Sequence, residues 1–236
     1  MREVQPVKVS VVIPTYHEGQ YIGNLLSNLS KAGSDLETII VDGGSTDETV
    51  NVAEHYADKV YVINQRGIAK ARNYGVHESK GEIIIFLDAD ITPPQDFMEK
   101  TLRAFKDYRI VGATCNIMPM YPRISELVFF KFYNRLLQLL SSFKPHSRGE
   151  FLAVRKEAFM KVGGFDEELP CIEDHDFALR VSKLGKFGFI SDLYVYESMR
   201  RIRKLGLHNV LRLWITDYIS FLLFRKTFSE VWVPVR

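Results

Sequence analysis

Asp88 and Asp90 stand two residues apart with only Ala89 between them, at the end of the longest apolar run in the first half of the chain. On extended backbone, residues i and i+2 project to one face. Two carboxylates converging with no Lys or Arg between them repel, and a hard divalent cation that bridges to phosphate oxygens relieves that repulsion. Such a cation also neutralises charge on a departing diphosphate. Taken alone, Asp-Ala-Asp reads equally as a turn held by Asx hydrogen bonds. Asp42 also ends an apolar run and opens an Asp42-Gly43-Gly44-Ser45 turn. A second acid pair, Glu173-Asp174, precedes an apolar helical pattern, where a helix dipole favours negative charge. Arg200-Arg201-Ile202-Arg203-Lys204 places four cations in five residues. That cluster suits a diphosphate, an anionic lipid headgroup or a solvated face.

These side chains must be carried by elements that bring them together. Up to Cys115, short β-branched runs alternate with helix-period segments, the pattern of βαβ units and a mostly parallel sheet. Strands are expected over Val9 to Ile13, ended by Pro14, and over Thr38 to Val41, Val60 to Ile63 and Glu82 to Leu87. Ile22, Leu25, Leu26 and Leu29 form one apolar helical face closed by Gly33. Ser45 and Glu48 stand at capping-box spacing, so a helix is expected to start there and run to Tyr56. Ile68 to Ser79 reads as a further helix. Ligands of open α/β sheets bind outside the carboxyl ends of the strands, so Asp42 and Asp88 are expected to face one crevice. Beyond Cys115 come an aromatic-rich stretch from Ile124 to Phe143, a polar Lys144 to Glu150 stretch, a strand-like Phe151 to Val154 and a Val162-Gly163-Gly164-Phe165-Asp166 turn. Phe177, Val181 and Leu184 then mark an amphipathic helix ended by Gly185.

Six motifs occur in order: Val11-Val12-Ile13-Pro14-Thr15-Tyr16-His17-Glu18, Ile40-Val41-Asp42-Gly43-Gly44-Ser45-Thr46-Asp47, Gly67 with Ala71-Arg72-Asn73-Tyr74-Gly75, Phe86-Leu87-Asp88-Ala89-Asp90, Gly163-Gly164-Phe165-Asp166-Glu167, and Glu173-Asp174-His175-Asp176-Phe177. In this set the chain resembles the family 2 glycosyltransferases of the GT-A fold, over roughly residues 8–205. The resemblance implies an α/β fold with a mostly parallel nucleotide-binding sheet flanked by helices, an acceptor-side region and a helical tail. It implies one domain over residues 1–236, with a nucleotide-sugar half at about 8–115, an acceptor half at about 116–205 and an amphipathic tail at about 206–236.

It further implies inverting transfer from a UDP- or GDP-sugar with Mn2+ or Mg2+. Pro14 and Thr15 would frame the base, Glu18 would accept from ribose, Asp42 from a base N–H, and Arg72 would approach the nucleotide and its phosphates. Asp90 would bind the metal, and Asp88 the metal or ribose. Arg200 and Arg201 would meet the diphosphate. Asp174, beside Glu173, would serve as the base that takes the acceptor proton on the face opposite the leaving group. His17 stands where the family often has Asn. Some relatives supply a His as a further metal ligand before the basic segment, where this chain has Tyr196-Glu197-Ser198.

Composition narrows the partners. The net charge of +2 does not fit a protein that coats nucleic acid. The distribution is uneven: Ser198 to Arg236 holds eight Lys and Arg against two Asp and Glu, and the first 197 residues hold 23 against 27. Cys115 and Cys171 lie far apart with no metal-site spacing, as expected of free thiols in a reducing cytoplasm. The N-terminus has no apolar signal region. A membrane span needs about 20 apolar residues, and the best stretch, Ile202 to Phe224, is broken by Arg203, Lys204, Arg212 and Asp217. Phe129, Phe130, Phe132 and Tyr133, with Lys131 and Arg135 among them, fit core packing, a homodimer contact or an interfacial helix. The tail is expected to present Leu211, Trp214, Ile215, Tyr218 and Leu222 on one face. Expected partners are a nucleotide-sugar donor, a saccharide or lipid-linked acceptor and the inner face of the cell membrane. Two other functions compete, a sugar nucleotidyltransferase and a nucleotide-sugar binder without turnover.

Overall fold

The computed structural model describes residues 9–33, 35–141 and 143–229. The ends of the expected domain at 1–8 and 230–236 lie outside them, as does Ser142 in the aromatic stretch. Among the described residues one eight-stranded sheet runs in the order β3-β2-β1-β4-β7-β6-β8-β5. Its first half is parallel: β1 (Val9–Thr15) lies between β2 (Leu36–Asp42) and β4 (Ile83–Leu87), and β3 (Lys59–Val62) flanks β2. Helices α1 (Ile22–Leu29), α2 (Thr49–Glu54) and α3 (Ile68–Glu78) are the crossovers.

Strand alternation divides the core in two. Val9, Val11 and Ile13 of β1 pack on one face with Ile22, Leu25, Leu26 and Leu29 of α1. Val12 packs on the other with Ala69, Ala71 and Val76 of α3. Both faces are covered, which is why β4 reads as an unbroken apolar run. The close approach of α3 to β1 depends on Gly75: a Cβ there would meet Val12 Cγ1 at 2.3 Å.

Three local expectations are revised. First, β1 continues through Pro14 to Thr15. Pairing of β1 with β4 stops at Val12, so Pro14 falls where one side of the strand has no ladder to donate to. Second, no capping box forms at Ser45 and Glu48. The Ser45 hydroxyl donates to Asp42 at 2.6 Å, and α2 begins only at Thr49. Third, the helix bearing Phe177 and Val181 ends at Val181, which leaves Leu184 exposed.

After β4, the short β5 (Ile91–Thr92) and α4 (Phe97–Ala104) lead into β6 (Ile110–Pro119). The expected boundary near residue 115 thus falls inside a strand. Helix α5 (Ile124–Leu140) is fixed to β6 by Asn134, which accepts from Ile117 N–H and donates to Ile117 C=O. β7 (Phe151–Arg155) inserts antiparallel between β4 and β6, joining both halves in one sheet. Helix α6 (Lys156–Lys161) and the Gly163-Gly164 turn precede α7 (Glu173–Val181). β8 (Lys186–Glu197) pairs parallel with β6 and antiparallel with β5. Helices α8 (Arg200–Leu205) and α9 (Leu207–Phe224) close the described chain. The buried side of α9 is Val210, Asp217 and Phe221, with Trp214 half-buried, so the expected apolar face is corrected: Ile215 and Leu222 point outward.

Candidate active site

Because β1, β2 and β4 are parallel, Thr15, Asp42 and Asp88 arrive at the same edge of the sheet. The loops after β1 and β2 are stitched together there. His17 N–H donates to Ser45 Oγ, Glu18 N–H to Thr49 Oγ1 and Gly19 N–H to Asp47 Oδ2. His17 holds φ 54°, a left-handed backbone that Asn and His tolerate better than most residues. That requirement accounts for a His where the family often has Asn.

Asp42 is fully buried. Its Oδ1 accepts from Gly44 and Ser45 N–H and its Oδ2 from the Thr15 and Ser45 hydroxyls. A carboxylate offers about four lone-pair sites, so Asp42 also holds the turn. Glu18 differs: Oε1 accepts from Arg200 at 2.8 Å, and Oε2 is buried with no hydrogen-bond partner among the described residues.

The acid centre is built around two arginines. Arg72, nearly fully buried on α3, donates Nη1 to Glu173 at 2.8 Å and Nη2 to Asp88 at 3.1 Å and to Gly149 C=O at 2.9 Å. Its Nη donors are committed to acids and backbone, whereas Nε is buried with no hydrogen-bond partner among the described residues. The guanidinium thus stands between Asp88 and the Glu173-Asp174 pair. Arg200 forms the second bridge, with Glu18 and, through Nε at 2.9 Å, with Asp90. The geometry follows from β5 pairing with β8 and from Ser198 N–H donating to Asp90 C=O, which sets α8 across Asp90.

Sequence reading missed a third charged group. Arg148 is buried, donates to Glu150 at 3.1 Å and lies 3.6 Å from Glu197. Glu197 therefore turns toward Arg148 and Glu150. Burial and the Glu150 charge raise the Glu197 carboxyl well above its ordinary range, while for Glu150 burial is the largest influence but the Arg148 charge and hydrogen bonds from the backbone, Arg148 and Glu197 together lower it. The Glu150 charge adds negative field at Asp88 and Asp90. The only signal for Arg148 and Glu150 is the polarity of Lys144 to Glu150, which fixes no partner; Glu197 stands out in the sequence as a residue that could coordinate metal where some relatives have a His.

Burial, then the charges of Glu150, Asp90 and Glu173, push Asp88 up to about 7 against the pull of Arg72, although 36% of its side chain meets solvent. Asp90 is raised too, first by burial and then by Glu18, with Arg200 opposing. On the other side of Arg72, burial and neighbouring Glu173 push Asp174 up to about 8. Ile172, just before that pair, is a β-branched residue at φ 64°, a strained backbone of the kind that concentrates at functional sites.

This donor set of hard carboxylate oxygens, crowded enough to raise both aspartates, fits a divalent cation. Among the described residues no three His, Cys, Asp or Glu side chains converge on one point. Asp90 with Asp88 could hold such a cation. Arg201 lies in the same field: burial and the Arg200 charge lower its guanidinium, and Asp88, Asp90 and Glu197 oppose them.

The family model described as "Glycosyl transferase family 2" matches residues 10–163, from the start of β1 to the Gly163-Gly164 turn. The chain belongs to this family. Among curated family relatives, glycosyltransferase AglE of Haloferax volcanii is 26% identical over 96% of this chain and 80% of its own length. An uncharacterized glycosyltransferase of Haemophilus influenzae is 30% identical over 76% of this chain and 63% of its own. Mannosyltransferase PcManGT from Pyrobaculum calidifontis superposes with a TM-score of 0.72 at 24% identity, covering 90% of this chain and 62% of that one. TarS 1–349 of S. aureus gives 0.66 at 22%, covering 81% and 58%. The chain thus spans under two thirds of the last three proteins. The fold, a mixed α/β sheet with flanking helices, is that of the GT-A glycosyltransferases.

Proposed function

We propose that this chain transfers a sugar from a UDP- or GDP-linked donor to an acceptor hydroxyl or a lipid phosphate, by metal-assisted single displacement with inversion. The observation that carries the reading is the Arg72 bridge, which fixes Asp88 and the Glu173-Asp174 pair around one buried guanidinium. A displacement needs a diphosphate-side and an acceptor-side carboxylate at a set spacing. Support also comes from the complexes of similar proteins, PcManGT with GDP-Man and Mn2+ and TarS with UDP-GlcNAc.

Each residue then has a task. Pro14 and Thr15 frame the base, and Asp42 accepts its N–H in exchange for a hydroxyl donor from Thr15 or Ser45. Glu18 Oε2, which lacks a partner within the described residues, accepts from ribose. Arg200, whose Nη1 also lacks a hydrogen-bond partner among the described residues, and Arg201 receive the diphosphate. A divalent cation, Mn2+ or Mg2+, would be held by Asp90 with Asp88 and would neutralise charge growing on the leaving diphosphate.

Asp174 takes the proton of an acceptor hydroxyl. The hydroxyl oxygen bonds to the anomeric carbon on the face opposite the leaving group, and the bond to the donor's diphosphate breaks, its electron pair leaving with the phosphate. Glu173 positions Asp174 through its ion pair with Arg72. Sugar nucleotidyl transfer is disfavoured by the first loop, Thr15-Tyr16-His17-Glu18, which has neither glycines nor a Lys or Arg to cradle phosphates.

The test is donor consumption with a panel of acceptors, for the unaltered chain and Asp90→Ala, each with and without EDTA. Loss of turnover on either change is expected. Turnover untouched by both contradicts a metal at Asp90.

A further inference from the structure

Two helices carry large apolar side chains on the side turned away from the core. On α5, Val128, Phe132, Leu136 and Leu139 are exposed, Phe132 by 67% and Leu139 by 53%. They lie at i, i+4, i+8 and i+11, one stripe opposite the buried Glu126, Phe130, Asn134 and Leu137. On α9, Ile215, Ile219, Leu222 and Leu223 form a second stripe, with Leu223 exposed by 68%. The two helices meet through stacked rings of Tyr133 and Trp214, centroids 6.3 Å apart. Scattered exposed apolar residues are ordinary, but stripes on adjoining helices mark an interaction surface.

Charge identifies the partner. Lys131 and Arg135 flank the α5 stripe and Arg212 lies beside the α9 stripe, all exposed, with Lys144 and Lys226 just beyond the helix ends. Each helix holds a single acid, and both acids are turned inward. Asp217 of α9 is buried, accepting from the Ser229 N–H and hydroxyl, and Glu126 of α5 is buried against Arg203. Apolar stripes rimmed by cations, on helices that expose no acid, match the boundary between acyl chains and anionic headgroups. A second copy of the chain would bring the same cations against each other.

We propose that the α5–α9 face docks on an anionic lipid bilayer, with α9 lying in the plane of the interface. Among the described residues no helix is long and apolar enough to cross a membrane, so the contact is peripheral. Docking orients the active site, because Tyr218 of α9 packs against His175, centroids 5.0 Å apart, and His175 directly follows Asp174. The base side of the cleft is thereby held near the headgroups.

The experiment is co-sedimentation of the full chain with vesicles of phosphatidylcholine alone and with added phosphatidylglycerol. Binding to the anionic vesicles is expected, weakening as salt is raised. Reversing one cation, as in Arg135→Glu, should weaken it about fivefold or more. Phe132→Glu and Leu223→Glu should abolish it while leaving donor affinity and the circular dichroism spectrum unchanged. Docking does not depend on turnover, so Asp174→Asn binds vesicles like the unaltered chain. Equal binding by the Phe132→Glu and unaltered chains, or no binding to either vesicle, overturns the proposal. So does a dimer in sedimentation equilibrium that Phe132→Glu dissociates and vesicles do not compete with.

Discussion

Arg72 decides what three carboxylates can do. Paired with Asp88 and Glu173 and close enough to Asp174 to oppose its protonation, it is held where a surface arginine would find water. Removing it in Arg72→Met leaves Glu173 buried without a counter-charge, and urea unfolding should report a loss on the order of 3 kcal/mol. At Asp174 the carboxyl stands at about 8. A base works only when deprotonated, so kcat/KM toward a hydroxyl acceptor should rise with pH up to about 8 and level off above it. In Asp174→Asn that limb should vanish and transfer should fall by roughly 100-fold or more, with donor affinity kept. An unchanged profile would remove Asp174 from its role. A lipid-phosphate acceptor, already ionised, would make the rate nearly indifferent to Asp174.

The elements explain why the motifs take the forms they do. Ala71-Arg72-Asn73-Tyr74-Gly75 is one helical turn with separate contacts: Arg72 reaches the acids, Gly75 lets α3 touch β1, and Asn73 exchanges hydrogen bonds with Phe165 backbone. Gly164 belongs to the same joint, at φ 74° with a Cβ position 2.6 Å from Asn73 Oδ1. Gly75→Ala should overpack Val12 and lower stability by about 1–3 kcal/mol, measured by denaturant unfolding, with the site's chemistry intact in the folded fraction. The β1–β4 half was legible because strand and helix periods there are set by burial on both faces. Asp42, Asp88 and Asp90 could be placed at strand ends for the same reason. What was hidden depends on long-range pairing: the Arg148-Glu150-Glu197 cluster joins the loop before β7 to the end of β8. The Arg200 bridge to Asp90 likewise requires β5 and β8 to meet. Ser45 misled because one hydroxyl can cap a helix or hold a turn, and Asp42 captured it.

At the scale of the whole molecule, one sheet brings Thr15, Asp42 and Asp88 to one edge, Arg72 ties Asp88 to Glu173, and the chain belongs to the family 2 glycosyltransferases. The cations of the tail divide their work by position: Arg200 faces the acids of the cleft, while Arg212 and Lys226 face outward. The most direct test of the account is a thermal-shift titration of UDP, GDP, CDP and dTDP, each with Mn2+ or with EDTA, on the unaltered chain and on Asp90→Asn. A cognate nucleotide at roughly 100 times its dissociation constant should stabilise the unaltered chain by about 2.7 kcal/mol. UDP or GDP should do so with Mn2+, and the shift should collapse in EDTA and in Asp90→Asn. An equal shift by that nucleotide in all three settings would contradict a cation-held diphosphate at Asp88-Ala89-Asp90.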